Sequence, residues 1–272
     1  MTEEKTIRVR ASSWAALFEC AHRWEAINLL GYRNIVGIRA ALGTAIHRST
    51  AVFDQSRVTG QELTPDDAAG LLVDSLRHPE DDVDYSRDDL SVSDAERIGL
   101  TLHTMYCTDI SPQYAFTAVE MDTEPFDIEC GDGIIIRLTG TMDRARIHVG
   151  EGGKVGIADL KSGTQAVLKG EANTKGHSAQ VGTYEILYEF TTGEKVEADA
   201  EIIGLKTDGR PAIASGRIHN ARRVMLGEDN QPGLIEYAAR MFKTGDFYPN
   251  PKSLLCGQKY CPRWSTCIYR DR

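Results

Sequence analysis

Apolar residues recur along this chain in two rhythms, and the change from one to the other divides it. Trp14, Leu17, Phe18, Ala21 and Trp24 fall on three- and four-residue steps, a single helical stripe that Ser12 or Ser13 can cap. That stripe predicts one helix over 12–30, with Cys20 inside it. Further helices are predicted over 40–54, over 64–77 with Pro65 in the first turn, and over 93–108. The period then shortens to two. Short runs rich in β-branched residues, separated by Gly140, Gly150, Gly152 and Gly153, predict strands over 114–121, 125–129, 134–138, 144–149 and 155–160, the last three as a meander. A helix over 177–190, strands over 198–206 and 211–218, and a last helix over 232–244 complete the pattern. No internal repeat interrupts it.

Composition narrows this to a class. A chain of 272 residues with 41% hydrophobic content can bury one sizeable core. The expected organisation is a single domain over 1–272, with a mainly helical part at 12–110, a core sheet at 111–220 and a distinct C-terminal segment at 245–272. No apolar stretch is long enough to cross a bilayer, and Met1-Thr-Glu-Glu-Lys is not followed by the apolar core of a signal peptide. A soluble cytoplasmic protein without a membrane partner is therefore expected. The net charge of -9 does not advertise a nucleic-acid binder. Much of the acid is local, however, in the loop-like segment 79–89. Arg137, Arg144 and Arg146, and farther on Arg217, Arg222 and Arg223, are expected to gather positive charge elsewhere, so the balance disfavours nucleic acid only mildly.

The candidate chemistry lies in two stretches. The strand reading puts Asp143 on one strand and Asp159 on its neighbour. Asp159 and Lys161, two apart, leave the same face while Leu160 points away. Two carboxylates on such a face suit Mg²⁺ or Mn²⁺. A bound ion of this kind can activate water and stabilise charge on a phosphoryl oxygen, and Lys161 can assist. His47 lies one turn after Gly43, and Gln180 and Tyr184 share a helical face. Each of these has an ordinary reading when taken singly: a solvated strand face, a partly buried histidine, an amphipathic pair. The second stretch carries Cys256, Cys261 and Cys267 within twelve residues. A cluster this close in a cytoplasmic chain points to metal, with Cys20 as the fourth thiolate. On count alone, Zn²⁺ and an iron-sulfur cluster fit equally well. Cys107 and Cys130 are expected to be structural thiols.

Taken in order, Gly43-x-x-x-His47, Gly140-x-x-Asp143, Asp159-x-Lys161, Gln180-x-x-x-Tyr184 and one early cysteine with three late ones form a joint pattern. It resembles the PD-(D/E)xK nuclease superfamily, in its RecB-like branch with a C-terminal iron-sulfur cluster, as in the AddB nuclease domain and CRISPR-adaptation exonucleases. The resemblance spans Cys20 to Cys267. It implies an α/β fold with a restriction-endonuclease-like core: a mixed central β-sheet flanked by helices, an N-terminal helical cap, and a cysteine-bound cluster joining the two termini. It further implies that His47, Asp143, Asp159 and the backbone carbonyl of Leu160 ligate Mg²⁺ or Mn²⁺. Asp143, Asp159, Lys161, Gln180 and Tyr184 would be the catalytic set, and Cys20, Cys256, Cys261 and Cys267 would hold a 4Fe-4S cluster. The C-terminal spacing, Cys-x4-Cys-x5-Cys, departs from the two-residue first gap of related sequences, which keeps Zn²⁺ as the alternative occupant.

The activity implied is a metal-dependent deoxyribonuclease, an exonuclease acting on DNA ends or single-stranded DNA in recombination, repair, phage replication or CRISPR adaptation. The alternative is a non-catalytic DNA- or protein-binding subunit that keeps the fold and cluster. There is no Walker A pattern. Helicase activity would come from a partner, and a recombinase or a CRISPR-adaptation protein is the other expected associate.

Overall fold

The computed structural model describes residues 4–33, 35–61, 63–150 and 152–270, so the leader reading at Met1 to Glu3 lies outside the described residues. The first element among the described residues is a strand that the pattern of the N-terminus did not predict, β1 (Lys5–Arg10), where Ile7 and Val9 are buried and the other four residues are exposed. Helices α1 (Trp14–Glu19), α2 (Ala21–Asn28), α3 (Ile38–Thr59), α4 (Pro65–Arg77) and α5 (Val92–Met105) follow. Then come β2 (Tyr114–Asp122), β3 (Phe126–Glu129), β4 (Ile134–Thr139), β5 (Thr141–His148) and β6 (Val155–Gly163). A small hairpin of β7 (Val167–Leu168) and β8 (Glu171–Ala172) leads into α6 (Ser178–Thr192), β9 (Ala200–Lys206) and β10 (Ala212–Ile218). The unpredicted α7 (Ala221–Leu226), the short pair β11 (Gly227–Glu228) and β12 (Gln231–Pro232), and α8 (Leu234–Thr244) precede the cysteine segment.

The central sheet has the order β10-β9-β6-β5-β2. It is mixed: β6 and β9 run parallel, while the other neighbours are antiparallel. On one face, Leu42, Ile46 and Phe53 of α3 pack with α4 and α5 over Ala158, Leu160, Ile203 and Leu205. On the other, Ile157 and Ala145 meet Tyr184, Leu187 and Tyr188 of α6. A second sheet, β1-β4-β3, closes this side with Trp14, Trp24 and Phe242. The architecture is the α/β one expected, a mixed central sheet between helical layers.

Two local expectations are corrected. The stripe over 12–30 does not form one helix. Cys20 is extended, at φ -154 and ψ 94, and separates α1 from α2. The C-terminal segment satisfies the backbone groups this break frees: the Asn250 side-chain amide donates to the Glu19 carbonyl at 2.9 Å, and the His22 amide donates to the Tyr248 carbonyl at 3.2 Å. The predicted meander is also split, because β4 leaves the central sheet to pair with β1 in parallel. Gly140, the single residue between β4 and β5, marks the switch of sheet. A Cβ there would lie 2.7 Å from the Tyr184 ring, which glycine avoids.

Candidate active site

The site forms one residue past the last β5–β6 pair, Arg144 with Ala158. Asp143 and Asp159 occupy the next positions along the two strands. The Leu160 amide donates to Asp143 Oδ2 at 2.8 Å, which ties its peptide to that carboxylate. Asp159 is 1% exposed. Its Oδ1 accepts from Gln180 Nε2 at 2.9 Å, and its Oδ2 forms an ion pair with the Lys161 ammonium but has no well-angled hydrogen bond. Gln180 also reaches Tyr184 Oη at 3.4 Å, so the shared face of α6 points into the site. Tyr184 is itself buried against Gly140 and does not open to solvent.

Helix α3 brings the histidine. A Cβ at Gly43 would lie 2.5 Å from Ser162 Oγ, so glycine here lets the helix approach β6 beside Lys161. One turn later, His47 Nδ1 stands 3.5 Å from Asp143 Oδ2. The predicted residues His47, Asp143, Asp159, Leu160, Lys161, Gln180 and Tyr184 thus converge, although they come from strands β5 and β6 and helices α3 and α6, well separated in sequence.

Sequence reasoning missed Glu120. Its place is in β2, just past a register shift, with a left-handed backbone at φ 46. Among the described residues, His47, Glu120 and Asp143 each offer one ligand atom, and these atoms lie within 4.8 Å of one another. A nitrogen and two carboxylate oxygens at this spacing, with Asp159 adjacent, are a donor set that Mg²⁺ or Mn²⁺ accepts. Nothing in the spacing separates Glu120 from Asp122 or Glu124 nearby. His177, at the start of α6, has its ring held down to about 4 by burial first and Lys161 second.

Buried groups of both charges meet at the site and shift one another. Burial pushes Asp159 up to about 6, and the charge of Asp143 adds to this against the pull of Lys161. Burial acts the same way on Asp143, but His47, Lys161 and Arg144 outweigh it and hold the carboxyl well below the usual range. His47 is raised in turn: burial lowers it, and the charge and hydrogen bond of Asp143 prevail. His47 and Lys161 thus face the two carboxylates, and a divalent ion bound among them would compete with protons for the same ligand atoms.

The expected basic groups are corrected here. Arg144 and Arg146 are fully buried, pairing with Asp54 at 2.7 Å and Glu201 at 3.1 Å. Arg137 pairs with Asp127, Arg222 with Glu189, and Arg223 with Glu228. The central strands carry Arg144 and Arg146 inward because α3 and β9 supply buried acids opposite them. Arg144 and Arg146 are thereby withdrawn from any surface that could meet phosphate, while Arg137, Arg222 and Arg223 keep part of their side chains exposed.

At the other end of α1, Cys20, Cys256, Cys261 and Cys267 line one pocket, and none of them forms a disulfide. The Asn250 amide donates to Cys20 Sγ at 3.4 Å. Four thiols converging on one pocket, with a backbone N–H aimed at sulfur, fit the donor chemistry of a metal or cluster site. Cys107 and Cys130 lie apart from this pocket, and burial raises both thiols, Cys107 to about 12.

Comparison with known proteins bears on the family and the fold. The profile of the PD-(D/E)XK nuclease superfamily matches residues 9–268. A crystal structure from Eubacterium rectale, provisionally described as an exonuclease, aligns over 97% of this chain and 89% of its own, at 13% identity and a TM-score of 0.52. That likeness shows the fold. A second structure, SSO0001, covers 94% of this chain and 97% of its own at 15% identity and a TM-score of 0.39. No curated protein matches.

Proposed function

The chain belongs to the PD-(D/E)XK nuclease superfamily, and from that premise we propose that it is a metal-dependent deoxyribonuclease, an exonuclease working on DNA ends or single strands. The observation that carries this reading is the setting of Asp159, buried between Lys161 and Gln180 and beside the Asp143–His47 pair. A purely structural carboxylate gains nothing from burial that raises it to about 6. His47, Asp143, Asp159 and the Leu160 carbonyl would hold Mg²⁺ or Mn²⁺, with Glu120 as a further donor. Such a cation, when bound, supplies polarisation of the phosphodiester and activation of the attacking water. Lys161 is a quarter exposed, so its ammonium can leave Asp159 to meet the phosphoryl oxygens. Gln180 fixes the Asp159 carboxylate, and Tyr184 fixes Gln180.

We place the chain in the RecB-like branch, with Cys20, Cys256, Cys261 and Cys267 holding a 4Fe-4S cluster that fastens the C-terminal segment to the break between α1 and α2. The domain organisation proposed is the single unit over 1–272 with its helical, sheet and cysteine parts. Recombination, repair, phage replication and CRISPR adaptation all supply DNA ends or single strands, and a helicase or recombinase partner fits each. The test is a comparison of linear with closed circular DNA, single- and double-stranded, in Mn²⁺, Mg²⁺ or EDTA. Degradation of linear DNA alone, stopped by EDTA, is expected. Cutting of the circles would replace the exonuclease reading with an endonuclease, and binding without cutting in any metal would refute the enzyme.

A further inference from the structure

Glu120 has little of its own to hold it at the metal-binding cluster. It is two-fifths exposed, and its backbone sits in the left-handed region at φ 46. What reaches it is Arg144, the residue after Asp143, whose side chain has no exposed surface. The guanidinium is pinned from behind. Nε donates to Asp54 Oδ2 at 2.7 Å and Nη2 to Thr50 Oγ1 at 3.3 Å. Nη1 donates forward, to the Asp143 carbonyl at 2.7 Å and to Glu120 Oε1 at 3.1 Å.

Asp54 is fixed in turn. It is fully buried and accepts from Ser111 Oγ at 2.6 Å and from Tyr106 Oη at 2.5 Å. Asp54 follows His47 by two turns of α3, so one helix carries both the histidine and the anchor for the arginine. The planar fork spans all these acceptors at once, which a lysine ammonium cannot do.

We propose, resting on the metal-site reading above, that Arg144 is a positioning residue: anchored by Asp54, it holds the Glu120 carboxylate against His47 and Asp143 and thereby sets the affinity for the divalent cation. A partner one bond removed from a metal ligand commonly changes metal affinity by about 10- to 100-fold. The charge of Arg144 alone would repel a cation, so its contribution must come through geometry. This separates the proposal from simple electrostatics. Arg144→Lys keeps the charge and loses the fork.

The test is Mn²⁺ binding without DNA, followed by electron paramagnetic resonance, with melting in EDTA measured alongside. Arg144→Lys and Glu120→Gln should each raise the Mn²⁺ Kd about tenfold, and the double variant should be no weaker than either single one. Because Arg144 is buried, its variant can fail to fold. Glu120→Gln, at an exposed side chain, then decides, and an unchanged Kd there overturns the proposal. An unchanged Kd in folded Arg144→Lys, or effects that multiply in the double variant, overturns it too. Asp143→Asn is the reference: if it also binds Mn²⁺ normally, the metal-site reading itself has failed.

Discussion

Asp159→Asn should stabilise the cation-free protein while removing its activity. The carboxyl is 1% exposed and sits at about 6 in place of its ordinary 3.8. Between those values the folded chain binds more protons than the unfolded one, so stability falls as pH rises from 3.8 to about 6 and is level above that. Each tenfold difference in proton affinity is worth about 1.4 kcal/mol, which sets a ceiling of about 3 kcal/mol at pH 8 and about half that at pH 5. Asparagine escapes this cost. It keeps an oxygen for Gln180, and the Lys161 ammonium it leaves behind can turn to water. A net gain of roughly 1–3 kcal/mol, or about 2–10 °C in Tm, is expected at pH 8. Thermal unfolding in EDTA at pH 8 and pH 5 measures it. Saturating Mn²⁺ should reverse the order, since it stabilises the wild type that binds it. An Asp159→Asn variant that melts at or below wild type at pH 8, or an advantage that fails to shrink at pH 5, would show that the buried carboxylate carries no such cost.

The cysteine pocket and the motif glycine make further predictions. Anaerobically purified protein should be coloured, and Cys20→Ala or Cys261→Ala should lose the colour, the iron and several degrees of Tm together. Normal iron content in both variants would remove the cluster, and a colourless protein carrying zinc would assign the thiolates to Zn²⁺. Gly140→Ala should cost about 1–3 kcal/mol by driving a methyl into Tyr184, whereas Gly70→Ala, in open space on α4, should cost nothing. Equal melting of the two variants would show that Tyr184 is not packed as described.

The sequence carried the fold where a single period ran unbroken. Thr64 and Asp67 form the capping box that starts α4 after Pro65 was read into its first turn, and α6 spans nearly the predicted range. It failed where a tertiary partner overrides the local pattern. The stripe Trp14, Leu17, Ala21, Trp24 is continuous across Cys20, because both short helices bury the same face; the break is supplied by Asn250, far along the chain. Strand β1 is six residues with three exposed cations, and its parallel partner β4 lies more than a hundred positions away. At the site, spacing put the two acids on neighbouring strands, and the family resemblance added the residues of α3 and α6 that meet them. Glu120 was invisible because its position depends on a register shift and on Arg144, an arginine that looked like surface until Asp54 was seen opposite it.

In the function proposed for this chain, Asp159 and Lys161 serve metal-dependent phosphodiester hydrolysis. End-labelled linear DNA incubated with wild type, Asp159→Ala and Lys161→Ala protein, in Mn²⁺ or Mg²⁺ and in EDTA, tests it most directly. Degradation by the wild type in metal alone is expected, with its loss in both variants while DNA is still bound. Undiminished cleavage by either variant would contradict it.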